Sequence, residues 1–191
     1  NKSMAETSAQ HQIKPSKSVV MIGLMGAGKS RIGRELAALL GVPFVDADTE
    51  IVEAAGCSIP YIFEHYGEQA FRDVELRVIN RLLDGPPHII ATGGGAFLNE
   101  NVRTRILNHA TSIWLRAELD ILVERTGRRG GRPLLEKGDP REILDELMKE
   151  RYPVYAMADI IVDSLDVTIA DTVNDTAKAL AEFLEGQQDS Q

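Results

Sequence analysis

Five short apolar runs punctuate the chain, at 18–22, 43–46, 88–92, 111–116 and 159–162. From its second residue on, each run is mostly apolar and does not alternate, the pattern of strands covered on both faces in a parallel sheet. Between them the apolar positions recur at helical spacing. That spacing predicts helices over 29–40, 48–55, 59–65, 67–83, 99–109, 118–126, 140–157 and 167–185. In the first, Ile32, Leu36, Leu39 and Leu40 share a face and Gly41 supplies a stop. In the fourth the stripe is Phe71, Val74, Val78 and Leu82; in the last, Val173, Ala177, Leu180 and Leu184. Strand and helix alternate, which predicts an α/β fold: a parallel sheet covered by helices.

Residues 1–17 are polar and lack periodicity, so a disordered tail is expected there. Residues 1–3 precede Met4 and read as a cloning remnant. No apolar stretch of a signal peptide follows the basic residues. The stretch 18–186 reads as a single domain, long enough for a substantial core. With 43% hydrophobic residues and no apolar run approaching a bilayer's thickness, no membrane partner is expected. A net charge of −8 argues against nucleic acid as a partner. The one cysteine, Cys57, excludes an internal disulfide and a cysteine-based zinc site, and fits a cytoplasmic setting.

The chemistry gathers at the strand ends. Gly23 to Ser30 reads GLMGAGKS, directly after the first apolar run and at the start of the first helix. This is a phosphate-binding loop in its required context. The glycine-rich turn, with Gly26, Ala27 and Gly28, lets backbone N–H groups face a polyphosphate. Lys29 reaches the outer phosphates, the Ser30 hydroxyl suits Mg²⁺, and the following helix adds the positive end of its dipole.

Ligands of such sheets collect at the carboxyl ends of the strands. The second strand ends in Asp46-Ala47-Asp48 and the third in Gly93-Gly94-Gly95. On an extended strand end, residues two apart face the same side. One carboxylate is expected to serve Mg²⁺ and the other to orient a substrate hydroxyl or take its proton. The competing reading makes Asp48 a helix cap. The third strand offers no acid, so the metal carboxylate falls to the DAD segment. Three consecutive glycines suit a backbone that approaches a ligand closely, or a plain flexible turn. Arg72 and Glu75, three apart on a helix, lie together, with a surface ion pair as the plain alternative. From Arg125 to Arg132 the chain runs RTGRRGGR, a basic, glycine-rich reversal in an acidic protein. That composition suits a mobile lid, about 125–138, closing over a transferred phosphate. Arg151 is a further candidate for an anion.

The segments GLMGAGKSRIGRELAALLG, VDADTEI, GEQAFRDVE, ATGGGA, RPLL and ERYPVYAMAD occur in that order. With them the chain resembles the shikimate kinases, of the nucleoside-monophosphate-kinase-like P-loop group, over about 18–184. The resemblance implies a three-layer P-loop sandwich with a five-stranded parallel sheet in 2-3-1-4-5 order, and a monomer. It implies ATP and shikimate as substrates and Mg²⁺ as cofactor, with shikimate phosphorylated at its 3-hydroxyl. By the same resemblance Lys29 and Ser30 bind ATP and metal, Asp46 belongs to the metal shell, and Asp48 contacts the ring hydroxyls. Arg72 and Arg151 clamp the substrate carboxylate, Gly93, Gly94 and Gly95 line the acceptor pocket, Arg132 meets the transferred phosphate, and Arg125 stacks on adenine. Arg31 stands where a small hydroxyl residue is common, and the proline that often completes the adenine sandwich is missing near 163–168.

A gluconate kinase is the alternative within small-molecule kinases. Adenylate-type kinases usually carry glycine where this chain has Ser30. A guanine-sensing switch needs D-x-x-G after a strand and N-K-x-D, and neither pattern occurs.

Overall fold

The computed structural model describes residues 14–129, 138–165 and 167–189. Five parallel strands form one sheet: β1 (Val19–Ile22), β2 (Phe44–Asp46), β3 (Ile89–Ala91), β4 (Thr111–Arg116) and β5 (Ile160–Asp163). Their order is β2-β3-β1-β4-β5, as the resemblance implied. The central strand β1 pairs Val19 with Ile89 on one side and with Thr111 on the other. Its four residues are at most 1% exposed, which is why the run is apolar without alternation.

Eight α-helices cover the sheet among the described residues: α1 (Lys29–Leu40), α2 (Ala47–Ala55), α3 (Ile59–Tyr66), α4 (Glu68–Asp84), α5 (Glu100–His109), α6 (Leu119–Arg129), α7 (Pro140–Tyr155) and α8 (Ile169–Asp189). A 3₁₀ turn, Ala96–Leu98, follows the triple glycine. Parallel crossovers are right-handed. The step from β1 to β2 runs one way along the sheet, and those from β2 to β3, β3 to β4 and β4 to β5 run the other way. Thus α1 lies on one face and α2 to α7 on the other. Helix α8 returns to pack beside α1, which completes three layers.

Local chemistry sets the helix ends. Gly28 enters α1 at φ 98° and Gly41 leaves it at φ 69°, both left-handed conformations that favour glycine. Ser58 caps α3 through its hydroxyl, Asn99 caps α5, and Asp139 caps α7 ahead of Pro140. Helix α1 approaches the sheet closely at Gly33, where a Cβ would stand 3.1 Å from the Phe44 ring.

Three expectations change. The strand β2 stops at Asp46 and α2 begins at Ala47, so Asp46 and Asp48 do not share an extended strand end. The cap is Asp46 rather than Asp48: its side chain accepts the N–H groups of Asp48 and Thr49. A carboxylate at the last strand position satisfies helix-end donors that would otherwise be orphaned, so the chain turns one residue earlier than apolar spacing suggests. Helix α6 continues to Arg129, past the expected end at 126, which puts the first residues of the expected lid on a helix. Arg132 and the rest of that lid up to residue 137, with residues 1–13 of the expected tail, lie outside the described residues.

Candidate active site

The phosphate loop leaves β1 and is wedged between β4 and α6. A Cβ on Gly23 would meet the Leu115 carbonyl at 2.8 Å, and one on Gly26 the Thr126 methyl at 2.9 Å. Bulk at either position is therefore excluded by the packing of the scaffold itself. Lys29 donates to the Gly23 carbonyl, curling over the loop. The Ser30 hydroxyl donates to Asp46 Oδ2 at 2.9 Å, while Asp46 Oδ1 accepts the N–H groups of Asp48 (3.0 Å) and Thr49 (3.3 Å). One carboxylate thereby serves two neighbours, the loop through one oxygen and the helix cap through the other.

Arg125, on α6, reaches across to the same loop. Its Nη1 lies 3.3 Å from both the Gly26 and Ala27 carbonyls and 3.0 Å from Ser164 Oγ. Ser164, almost fully buried, in turn donates to the Ala27 carbonyl at 3.2 Å. The Gly26 and Ala27 carbonyls thus point at α6 and at the residue after β5, while the Ala27 N–H closes the turn onto the Leu24 carbonyl at 3.1 Å. Arg31, by contrast, lies on the outer surface of α1 and pairs with Glu35 at 3.1 Å.

A cavity of about 470 Å³ opens over the loop, bordered by Lys29, Ser30, Asp46, Asp48, Gly93 and Gly94 at one end. Its other end is bordered by Arg125, Val167, Ile169 and Thr172. The sequence near this end, at 163–168, holds no proline; the apolar pair Val167 and Ile169, which helical spacing does not single out, lies there instead. Leu165, Val167 and Ile169 alternate with polar residues just after β5, and that alternation is the signal the sequence carries.

The triple glycine has a role beyond lining that cavity. A Cβ on Gly93 would stand 2.9 Å from Asp48 Oδ1, one on Gly94 2.9 Å from Arg151 Nη1, and one on Gly95 2.6 Å from Arg72 Nη2. Non-bonded heavy atoms settle at about 3.5–4.0 Å. Each glycine thus clears space for one polar side chain, from α2, α7 and α4 respectively. Spacing on three separate helices could not reveal that these groups meet at one loop.

The electrostatics follow from burial. Arg72 Nη1 donates to Glu75 at 2.8 Å, with Glu68 3.8 Å away. Glu75 is only 2% exposed, so this is no surface pair. Burial raises the Glu75 carboxyl above its ordinary value, against the bond from Arg72. Burial, then the Asp46 charge, raises the Asp48 carboxyl too, with Lys29 and Arg72 pulling the other way. Asp48 is thus a carboxylate made more basic, beside a cation-lined cavity. Arg151 keeps a buried Nε without a hydrogen-bond partner.

The donor set fits a hard divalent cation. Ser30 and Asp46 offer two oxygens in contact with each other, and Mg²⁺ is commonly held by one or two protein oxygens plus waters and phosphates. No cluster of three or more His, Cys, Asp or Glu suited to a metal occurs among the described residues. Nor is any helix among them long and apolar enough to cross a membrane.

Comparison with known proteins agrees with this geometry. The family described as shikimate kinase matches residues 25–182. The chain is 53% identical over 169 residues to a shikimate kinase of Paramagnetospirillum magneticum, covering 88% of this chain and 87% of that protein. It is 51% identical over 176 residues to the shikimate kinase of Bradyrhizobium diazoefficiens, covering 92% and 85%. Among solved structures, the shikimate kinase from Acinetobacter baumannii in complex with shikimate superposes with a TM-score of 0.80 at 32% identity, over 95% of this chain and 98% of that one.

Proposed function

The chain belongs to the shikimate kinase family, and from that premise we propose how its own residues transfer a phosphoryl group from ATP to the 3-hydroxyl of shikimate. The observation that carries the assignment of residues is the triple glycine, which gathers Asp48, Arg151 and Arg72 beside the phosphate loop.

In this reading the N–H groups of Gly26, Gly28 and Lys29 cradle the phosphates, Ala27 shapes the turn through its N–H bond to the Leu24 carbonyl, and Arg31 stands at the rim of the cavity. The Lys29 ammonium exchanges the Gly23 carbonyl for phosphate oxygens. Ser30 and Asp46 would hold Mg²⁺, which when bound neutralises charge on the outer phosphates. Arg125 keeps the loop carbonyls occupied and borders the space for the base, with Val167 and Ile169 across from it. Arg132 is assigned to the transferred phosphate on the resemblance of its segment.

On the acceptor side, Arg72 and Arg151 take the shikimate carboxylate. Charge-assisted bonds of this kind contribute about 1.5–3 kcal/mol each, enough to orient a small polar acid. Asp48 then faces the reacting hydroxyl. As the new bond forms between that oxygen and the γ-phosphorus, the bond from phosphorus to the β–γ bridging oxygen breaks and ADP leaves. The hydroxyl proton passes to Asp48. Its raised basicity suits it to accept that proton. Most of the rate comes from alignment and charge neutralisation, as in phosphoryl transfer generally.

The same reading takes 18–186 as a single catalytic domain, a monomer, in a cytoplasmic setting consistent with one unpaired cysteine. The test is a coupled ADP-release assay with shikimate and gluconate side by side. Turnover with shikimate that is lost in Arg72→Lys, with gluconate inert throughout, is the expected result. Turnover with shikimate that ignores both Arg72→Lys and Asp48→Asn would remove the acceptor site from this cavity.

A further inference from the structure

Tyr155 ends helix α7, one turn beyond Arg151, and its side chain is completely buried. Its ring packs against Trp114 and Tyr152, at centroid distances of 5.8 and 6.2 Å. Its hydroxyl donates to the carbonyl of Gly94 at 2.5 Å. Beside it, Arg151 Nη1 lies 2.9 Å from where a Cβ on the same glycine would be. One helical turn therefore grips Gly94 twice, sterically through Arg151 and by hydrogen bond through Tyr155.

A peptide unit is planar and trans, so its C=O and the next N–H point in opposite directions. Fixing the Gly94 carbonyl toward the buried Tyr155 turns the Gly95 N–H away from the core. Among the described residues no protein group accepts that N–H. A triple glycine is the least self-determined backbone a loop can have, so its peptide planes need an external hold. The Gly94 carbonyl gets one from a side chain that does not itself border the cavity.

We infer that Tyr155 is a positioning residue for the acceptor half: its hydroxyl sets the Gly94–Gly95 peptide so that this loop and Arg151 meet the substrate in one fixed arrangement. Burial raises the Tyr155 hydroxyl above its ordinary value, so it remains a neutral donor across the working range. The inference rests on the placement of shikimate beside Arg72 and Arg151.

The test compares Tyr155→Phe with Tyr152→Phe. Each keeps its ring and loses one hydroxyl bonded to a backbone carbonyl, Gly94 in the first case and Ala117 in the second. Only Tyr155→Phe is expected to raise the KM for shikimate, about five- to tenfold, the scale of one lost hydrogen bond. Its KM for ATP should stay within twofold of wild type, and Tyr152→Phe should change neither constant. KM does not depend on how much of a sample is folded, so a less stable variant still gives the answer. An unchanged shikimate KM in Tyr155→Phe, or an equal rise for both substrates, overturns the inference. Arg72→Lys, measured alongside, separates the two ideas. If it raises the shikimate KM while Tyr155→Phe does not, only the role of Tyr155 is lost. If both are silent, the acceptor placement falls with it.

Discussion

Gly95 makes room for Arg72: a Cβ at position 95 would lie 2.6 Å from Arg72 Nη2 and 3.1 Å from Nη1. The backbone at Gly95, φ −93° and ψ −7°, is one that any residue adopts. Alanine there would cause no strain of its own and would act only by displacing the guanidinium. Gly95→Ala should therefore raise the KM for shikimate at least tenfold, roughly the loss of one charge-assisted bond. The KM for ATP should stay close to wild type, while the melting temperature should fall, since displacing the guanidinium strips the buried Glu75 of its partner. A matching loss of ATP affinity would show that the loop as a whole, not Arg72, had moved.

Asp48→Asn separates activity from stability. Loss of the proton acceptor should lower kcat by at least about a hundredfold, while ATP still binds. Stability should move the other way. The Asp48 carboxyl holds its proton more tightly in the folded chain than at its ordinary value of 3.8. Folded-state stability therefore falls as pH rises through the interval from 3.8 to the raised folded value, and ionised Asp48 is a net cost at neutral pH. The variant should melt above wild type near neutral pH, and the gap should close below about pH 4. Wild-type kcat/KM should fall on the acid side with an apparent pKa above 3.8. Calorimetry across pH and a pH–rate profile check both halves.

Asp46→Asn tests the metal assignment without breaking the helix. Asparagine caps helices about as well as aspartate, so α2 should survive and the melting temperature should drop little. The lost negative charge should raise the Mg²⁺ concentration for half-maximal activity at least tenfold, since Mg²⁺ favours carboxylate oxygen. Titration of activity with Mg²⁺ at saturating substrates is the measurement. An unshifted midpoint would leave Asp46 as a cap alone.

Arg125→Ala should act on the opposite substrate. Its guanidinium meets the carbonyls of Gly26 and Ala27 and the Ser164 hydroxyl, all on the nucleotide side. Removing it should raise the KM for ATP about tenfold and leave that for shikimate nearly unchanged. Paired Michaelis curves for the two substrates check the asymmetry.

Much of the fold could be read in advance because its signals are local. Unbroken apolar runs mark the strands, and β1 and β3 are buried on both faces as that pattern predicts, while the edge strand β5 leaves Ile161 exposed and β2 is half-buried; Gly28 and Gly41 bracket α1 through backbone conformations that favour glycine. Strand order came from the resemblance and matches the sheet. What was misread depended on competition between neighbours. Asp46 ends β2 and caps α2 at once, and apolar spacing cannot say which residue wins that role. Three consecutive glycines suggest a close approach to a ligand or a plain flexible turn. Their contacts with Asp48, Arg151 and Arg72 depend on where three distant helices meet, and local spacing does not carry that information. Tyr155 was invisible for a similar reason, since a tyrosine in an apolar stretch reads as core until its hydroxyl is seen to reach Gly94.

The divided carboxylate of Asp46 has a kinetic consequence. The oxygen that anchors α2 is not the one that meets Ser30. Exchange of partners on the nucleotide side can proceed on Oδ2 while Oδ1 keeps the start of α2, and with it Asp48, in place. On the proposed reading the acceptor half is therefore built without help from a nucleotide. Neither substrate has to arrive first to build the other's site, and initial-velocity patterns should show addition in either order.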